Sequence, residues 1–203
     1  ARDYTIALSD DAIAWRTVRT VADSDGGSDA LFLPEAEARY VRLDLTRAAG
    51  RRYGLANARV QPPEWAANSN AYIEALAREA PRGAYPRGFV EQSYWTLVGV
   101  DGGSDSALMS EDGAVEVGRG GFSIEPFVRS GAQTWSWADV SVSQSLLEGY
   151  LPIPRVAWET PAWRLEATAF ADGARDAAAV TTRYTLTNTS DANAVLELAL
   201  AVR

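Results

Sequence analysis

From Tyr94 to Trp158 the sequence alternates short apolar runs with Gly, Asp and Ser punctuation. That pattern predicts consecutive antiparallel strands joined by tight turns. Phe89 to Val100 leads in and turns at Asp101-Gly102-Gly103. Ala107-Leu108-Met109 and Ala114 to Val117 flank Glu111-Asp112-Gly113, whose Asp-Gly pair marks a hairpin. Phe122 to Val128 follows a Gly120-Gly121 bend. Asp139 to Ser143 places valines on one face and serines on the other. Arg164 to Phe170, Ala179 to Thr187 and Val195 to Val202 read as long strands, separated by Asp172-Gly173 and by Asn188-Thr189-Ser190-Asp191. Strands of this length and pattern pack best as two sheets face to face, an antiparallel β-sandwich.

What such a chain can do chemically is narrowed by three missing residue types. It has no Cys, no His and no Lys; all 19 basic residues are Arg, and the net charge is −8. Disulfides, thiolate nucleophiles and zinc–thiolate sites are excluded. So are imidazole bases and the Ser-His-Asp triad, and Schiff bases or a P-loop lysine. The acidic balance argues against a nucleic-acid partner. No apolar run approaches the roughly 18 residues of a membrane helix, and no signal-like apolar region opens the chain, so membrane insertion is not expected. Carboxylate chemistry of the glycosidase type, or binding alone, remains.

Residues 1–62 read as a first all-β unit. Tyr4 to Leu8 and Arg16 to Val21 are strands, and Arg39 to Leu45 alternates with Tyr40 opposite Val41, Leu43 and Leu45. Gly54 to Val60 predicts one more short strand, stopped by Pro62-Pro63. Residues 63–87 form a connector: Asn68, Ser69 or Asn70 caps a helix carrying Tyr72, Ile73, Leu76, Ala77 and Ala80 at helical spacing, and Pro81 and Gly83 end it. A brace between two β units is its plain reading. Residues 88–203 are the second unit.

The first unit resembles the C-terminal half of a discoidin (coagulation factor 5/8 type C) domain. The resemblance rests on YTIALSDDAIAW (Tyr4 to Trp15), the Gly26-Gly27 loop, ARYVRLDL (Ala38 to Leu45) and YGLANARV (Tyr53 to Val60). Asn57 stands where that family commonly has an acid. The resemblance implies a jelly-roll portion whose other half, with much of the ligand rim and the usual calcium site, lies before Ala1. From Pro86 onward the chain resembles the N-terminal β-sandwich of inverting glycoside hydrolases and phosphorylases with an (α/α)6 barrel. The motifs are Tyr94 to Asp101, Glu111-Asp112-Gly113, Gly121 to Phe127, Trp137 to Val140, Gln144-Ser145-Leu146, Gly149 to Pro154 and Tyr184 to Asp191. In that architecture the general acid and base belong to the barrel. Together the resemblances imply a fragment of a larger bacterial carbohydrate-processing protein that is secreted, periplasmic or at the cell surface.

Candidate residues follow from both lines. Trp135 and Trp137 are two apart, so in a strand their indoles share a face. They stack on a pyranose or fill a core, and Trp95 and Tyr150 are further candidates for sugar contact. Trp15 and Tyr40 read as core. Glu111, Asp112, Glu125 and Asp139 are the candidate catalytic carboxylates, near aromatics that could exclude water and raise a pKa, although Glu111-Asp112 reads more simply as a turn and Asp139 as a turn or cap acid. Asp23, Asp25 and Asp29 form a polar loop that suggests Ca2+, yet Ser28 and Pro34 occupy the positions where an EF-hand has Gly and Glu. No other cofactor is implied. Asn188-Thr189-Ser190 fits a glycosylation sequon, which matters only in a eukaryotic secretory host.

The expectation is a mainly β chain: a discoidin-like jelly-roll portion plus an antiparallel β-sandwich, joined by one short helix. Its expected role is non-catalytic binding and positioning of carbohydrate beside missing domains of a parent enzyme. A free-standing lectin-like or adhesion module is the alternative, and a self-contained glycosidase lacks a recognisable acid/base motif.

Overall fold

A computed structural model describes residues 1–48, 50–118 and 120–203. The chain is mainly β, with antiparallel sheets and, among the described residues, one α-helix. It packs as two compact units, Ala1–Leu76 and Ala77–Arg203. No described helix is long and apolar enough to cross a membrane.

In the first unit β1 (Asp3–Ser9) is the centre of a three-stranded sheet, flanked by β2 (Arg16–Val21) and β3 (Tyr40–Arg47). Tyr4 and Ile6 fall on one face of β1 and Ala7 and Ser9 on the other, and all four are buried. Between β1 and β2 the chain turns through Ala12, at φ 60°. The Asp11 carboxylate holds that turn by accepting from Ile13 N and Ala14 N, both at 2.8 Å. Trp15 and Tyr40 do not enter the core. Tyr40 is exposed, and Trp15 lies under the Arg42 guanidinium at 4.3 Å.

Residues 54–60 form no strand, against the sequence expectation. Their only large apolar side chains, Leu55 and Val60, are five apart and fall on opposite faces of an extended chain, so neither face is worth burying. Helix α1 (Ser69–Glu79) begins where predicted: Ala71 N donates to Asn68 Oδ1 at 2.9 Å. Tyr72 of α1 meets Phe32 edge-on at 5.7 Å.

The described residues of the second unit carry ten strands: β4 (Trp95–Val98), β5 (Ala107–Ser110), β6 (Val115–Glu116), β7 (Ser123–Ser130), β8 (Gln133–Trp135), β9 (Ser141–Leu147), β10 (Leu151–Glu159), β11 (Trp163–Ala174), β12 (Ala177–Asn188) and β13 (Leu196–Val202). One sheet has the order β12-β11-β10-β9. The other runs β13-β7-β6-β5-β4, with β8 also paired to β7. The long strands are fixed by alternation. On β10 Val156 and Trp158, and on β11 Trp163, Leu165, Ala167 and Ala169, all point to one face. From the other sheet Val98, Met109, Val115 and Val128 meet them in a single core. Burying side chains of this size contributes about 1.5–3 kcal/mol each, which is what holds the two sheets together.

Candidate functional site

A cleft in the second unit is assembled from three stretches distant in sequence. The first is the segment that follows α1. Gly83, at φ +87°, lies so close to the turn at Ser136 that a Cβ there would sit 2.0 Å from Ser136 Oγ. Only glycine fits both that backbone and that contact. Pro86 then starts a short 3-10 turn, Arg87–Phe89, which aims the Arg87 side chain inward.

The second stretch is the β5–β6 turn, closed by Gly113 at φ +87° and by Ser110 N donating to Ala114 O at 2.8 Å. It presents Glu111 and Asp112 to Arg87. Nη1 of Arg87 lies 2.7 Å from Glu111 Oε1 and 3.3 Å from Asp112 Oδ1. Trp158 of the core locks the turn from below, its Nε1 donating to the Asp112 backbone carbonyl at 2.8 Å. The Asp112 carboxyl is buried, and desolvation pushes it up to about 6. Arg87 opposes that rise, and the neighbouring Glu111 and Glu91 charges add to it.

The third stretch is β7 with the Ser136–Asp139 turn. Glu125, also buried, is raised by desolvation; Arg203 at 3.6 Å and a hydrogen bond from Ser123 Oγ at 3.0 Å pull the other way. Ser136 and Asp139 form a reciprocal cap, with Ser136 N donating to Asp139 Oδ2 at 2.9 Å and Ala138 N to Ser136 Oγ at 3.3 Å. Asp139 is therefore occupied as a cap acid.

Ser136 leaves the strand after Trp135, so Trp135 and Trp137 do not share a flat strand face. Trp135 is half-buried, edge-on to Trp163 at 5.9 Å and 81°. Trp137 is interior: its Nε1 donates to Tyr85 O at 3.0 Å, and the Arg82 and Arg87 guanidinium carbons lie 4.5 and 4.8 Å from its ring centroid. A shelf of two exposed indoles is thus not formed. Tyr150 is exposed on the β9–β10 turn, where its OH meets Glu148 Oε2 at 3.2 Å.

Of the candidates, Trp95 and Trp137 both line the cleft, and Trp95 is the one with an exposed indole. Its indole, 38% exposed, forms a wall beside Arg87, Ser93, Asp112 and Glu125. Three buried atoms of these lining residues, Arg87 Nε, Ser93 Oγ and Asp112 Oδ1, make no hydrogen bond within the protein. Arg87 Nε and Asp112 Oδ1 take part only in ion pairs, at 3.5 and 3.3 Å. The enclosed space of the cleft is about 20 Å3, room for one group the size of a water or hydroxyl.

Arg87 and Ser93 were not singled out from the sequence, where nothing marks them. Their role comes from convergence with Asp112 across the fold. Asp23, Asp25 and Asp29 are turned to separate tasks. Asp23 pairs with Arg47, Asp25 accepts from Gly27 N at 2.8 Å, and Asp29 accepts from Tyr4 OH at 2.7 Å and Ser24 Oγ at 2.8 Å. Among the described residues no three acidic side chains gather as a cation site. No protein-family model matches the chain, and no curated protein or solved structure matches it.

Proposed function

We propose that the second unit is a non-catalytic, carbohydrate-binding and positioning segment of a carbohydrate-active enzyme. The observation that carries this reading is the convergence of three unsatisfied buried polar atoms beside a partly exposed indole. A sugar offers what that surface lacks. One hydroxyl both donates and accepts, so it answers Asp112 Oδ1, Arg87 Nε and Ser93 Oγ together. The C–H face of the ring covers the Trp95 indole. Leaving buried polar groups unpaired costs about 1–3 kcal/mol each, which a hydroxyl in the floor would recover.

The test is calorimetric titration of the protein with a panel of neutral mono- and oligosaccharides. At least one should bind, Trp95→Ala should weaken it about tenfold, equivalent to ~1.4 kcal/mol, and Ser93→Ala should weaken it by a smaller factor. Absence of binding across the panel at millimolar sugar, or binding untouched by both Trp95→Ala and Asp112→Asn, would overturn the reading.

A further inference from the structure

The outward face of the four-stranded sheet carries a row that the core and the cleft do not use. Val156 and Trp158 of β10 and Leu165 and Ala167 of β11 face the core, so by alternation Arg155 and Thr168 face away from it. The register sets Ser145 opposite Arg155, Arg155 opposite Thr168, and Thr168 opposite Arg183. The row thus crosses all four strands. Arg155 and Arg183 stand two strand spacings apart, about 10 Å, with the threonine hydroxyl between them.

The row differs from its neighbours in charge. Two steps along β11 on the same face, Arg164 is neutralised by Glu159 at 3.5 Å and by Glu166 at 3.2 Å. Among the described residues neither Arg155 nor Arg183 has a carboxylate within 4.0 Å, in a chain whose net charge is −8. Thr168 is only 4% exposed although it sits on the outward face, and its Oγ1 makes no hydrogen bond within the protein. The buried Arg155 Nε is likewise without a partner. Two guanidinium groups and a hydroxyl, all with donors to spare, are the groups an oxyanion recruits: planar N–H forks for two oxygens and a hydroxyl for a third contact.

We infer that the Arg155–Thr168–Arg183 row is an oxyanion-binding site, taking a carboxylate or sulfate group. It lies apart from the Trp95 cleft and does not depend on the reading given to that cleft. The group either arrives free or is carried on an acidic sugar; the chemistry of the row is the same.

The intact chain should be titrated with inorganic sulfate and, separately, with a galacturonic acid tetramer. Ionic strength is held constant with chloride so that general screening does not change, and amide chemical shifts report occupancy. Saturable shifts centred on Thr168 and its strand neighbours are expected with at least one probe. Arg183→Gln changes an exposed side chain, and it should lower affinity tenfold or more. Thr168→Val should lower it severalfold, and Arg164→Gln should leave it within twofold. Sulfate binding at least as well as the tetramer identifies the free ion as the ligand. A tighter tetramer identifies a sugar acid. If neither probe saturates, or if Arg164→Gln weakens binding as much as Arg183→Gln, the site does not exist and only general surface charge is at work.

Discussion

In the unit Ala1–Leu76 the central strand β1 buries Tyr4, Ile6 and Ala7 while β2 and β3 leave most of their side chains in water. In Ala77–Arg203 two sheets close over Trp158, Trp163, Met109 and Leu165, each under 2% or at 2% exposed. The first unit supplements its small core with polar contacts at its rim. Arg47 joins Asp3 to Asp23, and Asp29 ties Tyr4 to Ser24. Asp3, Asp11 and Asp29 sit near water among donors and are shifted down. Hydrogen bonding to Arg47 brings Asp3 to about 2, backbone donors at Ile13 and Ala14 lower Asp11, and the Tyr4 hydroxyl lowers Asp29. In the second unit burial has the opposite consequence, raising Asp112 to about 6 and raising Glu125. Carboxylates near water among donors are thus stabilised when ionised, as Glu91 beside Arg82 also is in the second unit, whereas the buried Asp112 and Glu125 are burdened by their charge.

The largest effect that would sharpen this contrast is removal of a core indole. Trp158→Ala should destabilise the second unit by about 3–5 kcal/mol, read from urea unfolding. It also strips the hydrogen bond that holds the Asp112 backbone. A cost under ~1 kcal/mol would mean that the two-sheet core is not what holds this unit.

Next comes pH. The folded pKa of Asp112 lies above its unfolded value, so the folded state binds more protons between about pH 4 and 6, and stability falls as pH rises through that window. Asn does not titrate. The stability of Asp112→Asn relative to wild type should therefore grow by roughly 2–3 kcal/mol between pH 4 and 7, measured as paired denaturation curves. A flat difference would show that Asp112 is not buried as a charge.

Gly83→Ala should cost the second unit about 1–3 kcal/mol, since its Cβ would drive into the Ser136 turn from a left-handed backbone. It should also weaken sugar binding by displacing Arg87. A neutral substitution would mean that the 81–93 segment is not seated as described.

The smaller effects belong to the first unit. Tyr4→Phe removes the hydroxyl that donates to Asp29 and should cost about 1 kcal/mol. Because the folded pKa of Asp3 is depressed, its contribution is present above about pH 4 and is lost as pH falls toward 2. Acid should then lower the midpoint of this unit, and Asp3→Asn should shrink that fall. If the midpoint instead rises on going from pH 4 to 2, the contrast between the units fails.

Much of the second unit is legible in the sequence because a strand's face is decided by alternation within a few residues. Strands β11, β12 and β13 appear within a few residues of their expected ends, and Asp112-Gly113 makes the turn that its dipeptide demands. The helix cap at Asn68 is local for the same reason. Residues 54–60 join no sheet because pairing needs a partner edge and a face to bury, neither of which a short run encodes. Trp135 and Trp137 do not share a strand face because Ser136, a strong capping residue, begins a new turn between them, and the pair packs at the core instead.

The order of residues thus dictates the class of chain. Its strand periodicity dictates sheets, and its lack of His, Cys and Lys limits the chemistry to carboxylates, hydroxyls, aromatics and arginine. Tertiary structure alone decided which of these meet. Arg87, Ser93, Trp95 and Asp112 come from different segments, and the Arg155–Thr168–Arg183 row comes from three strands. Their local sequences are ordinary. Whether a carboxylate is ionised or burdened, and whether a buried hydroxyl has a partner, depends on distances and desolvation that exist only once the sheets have closed.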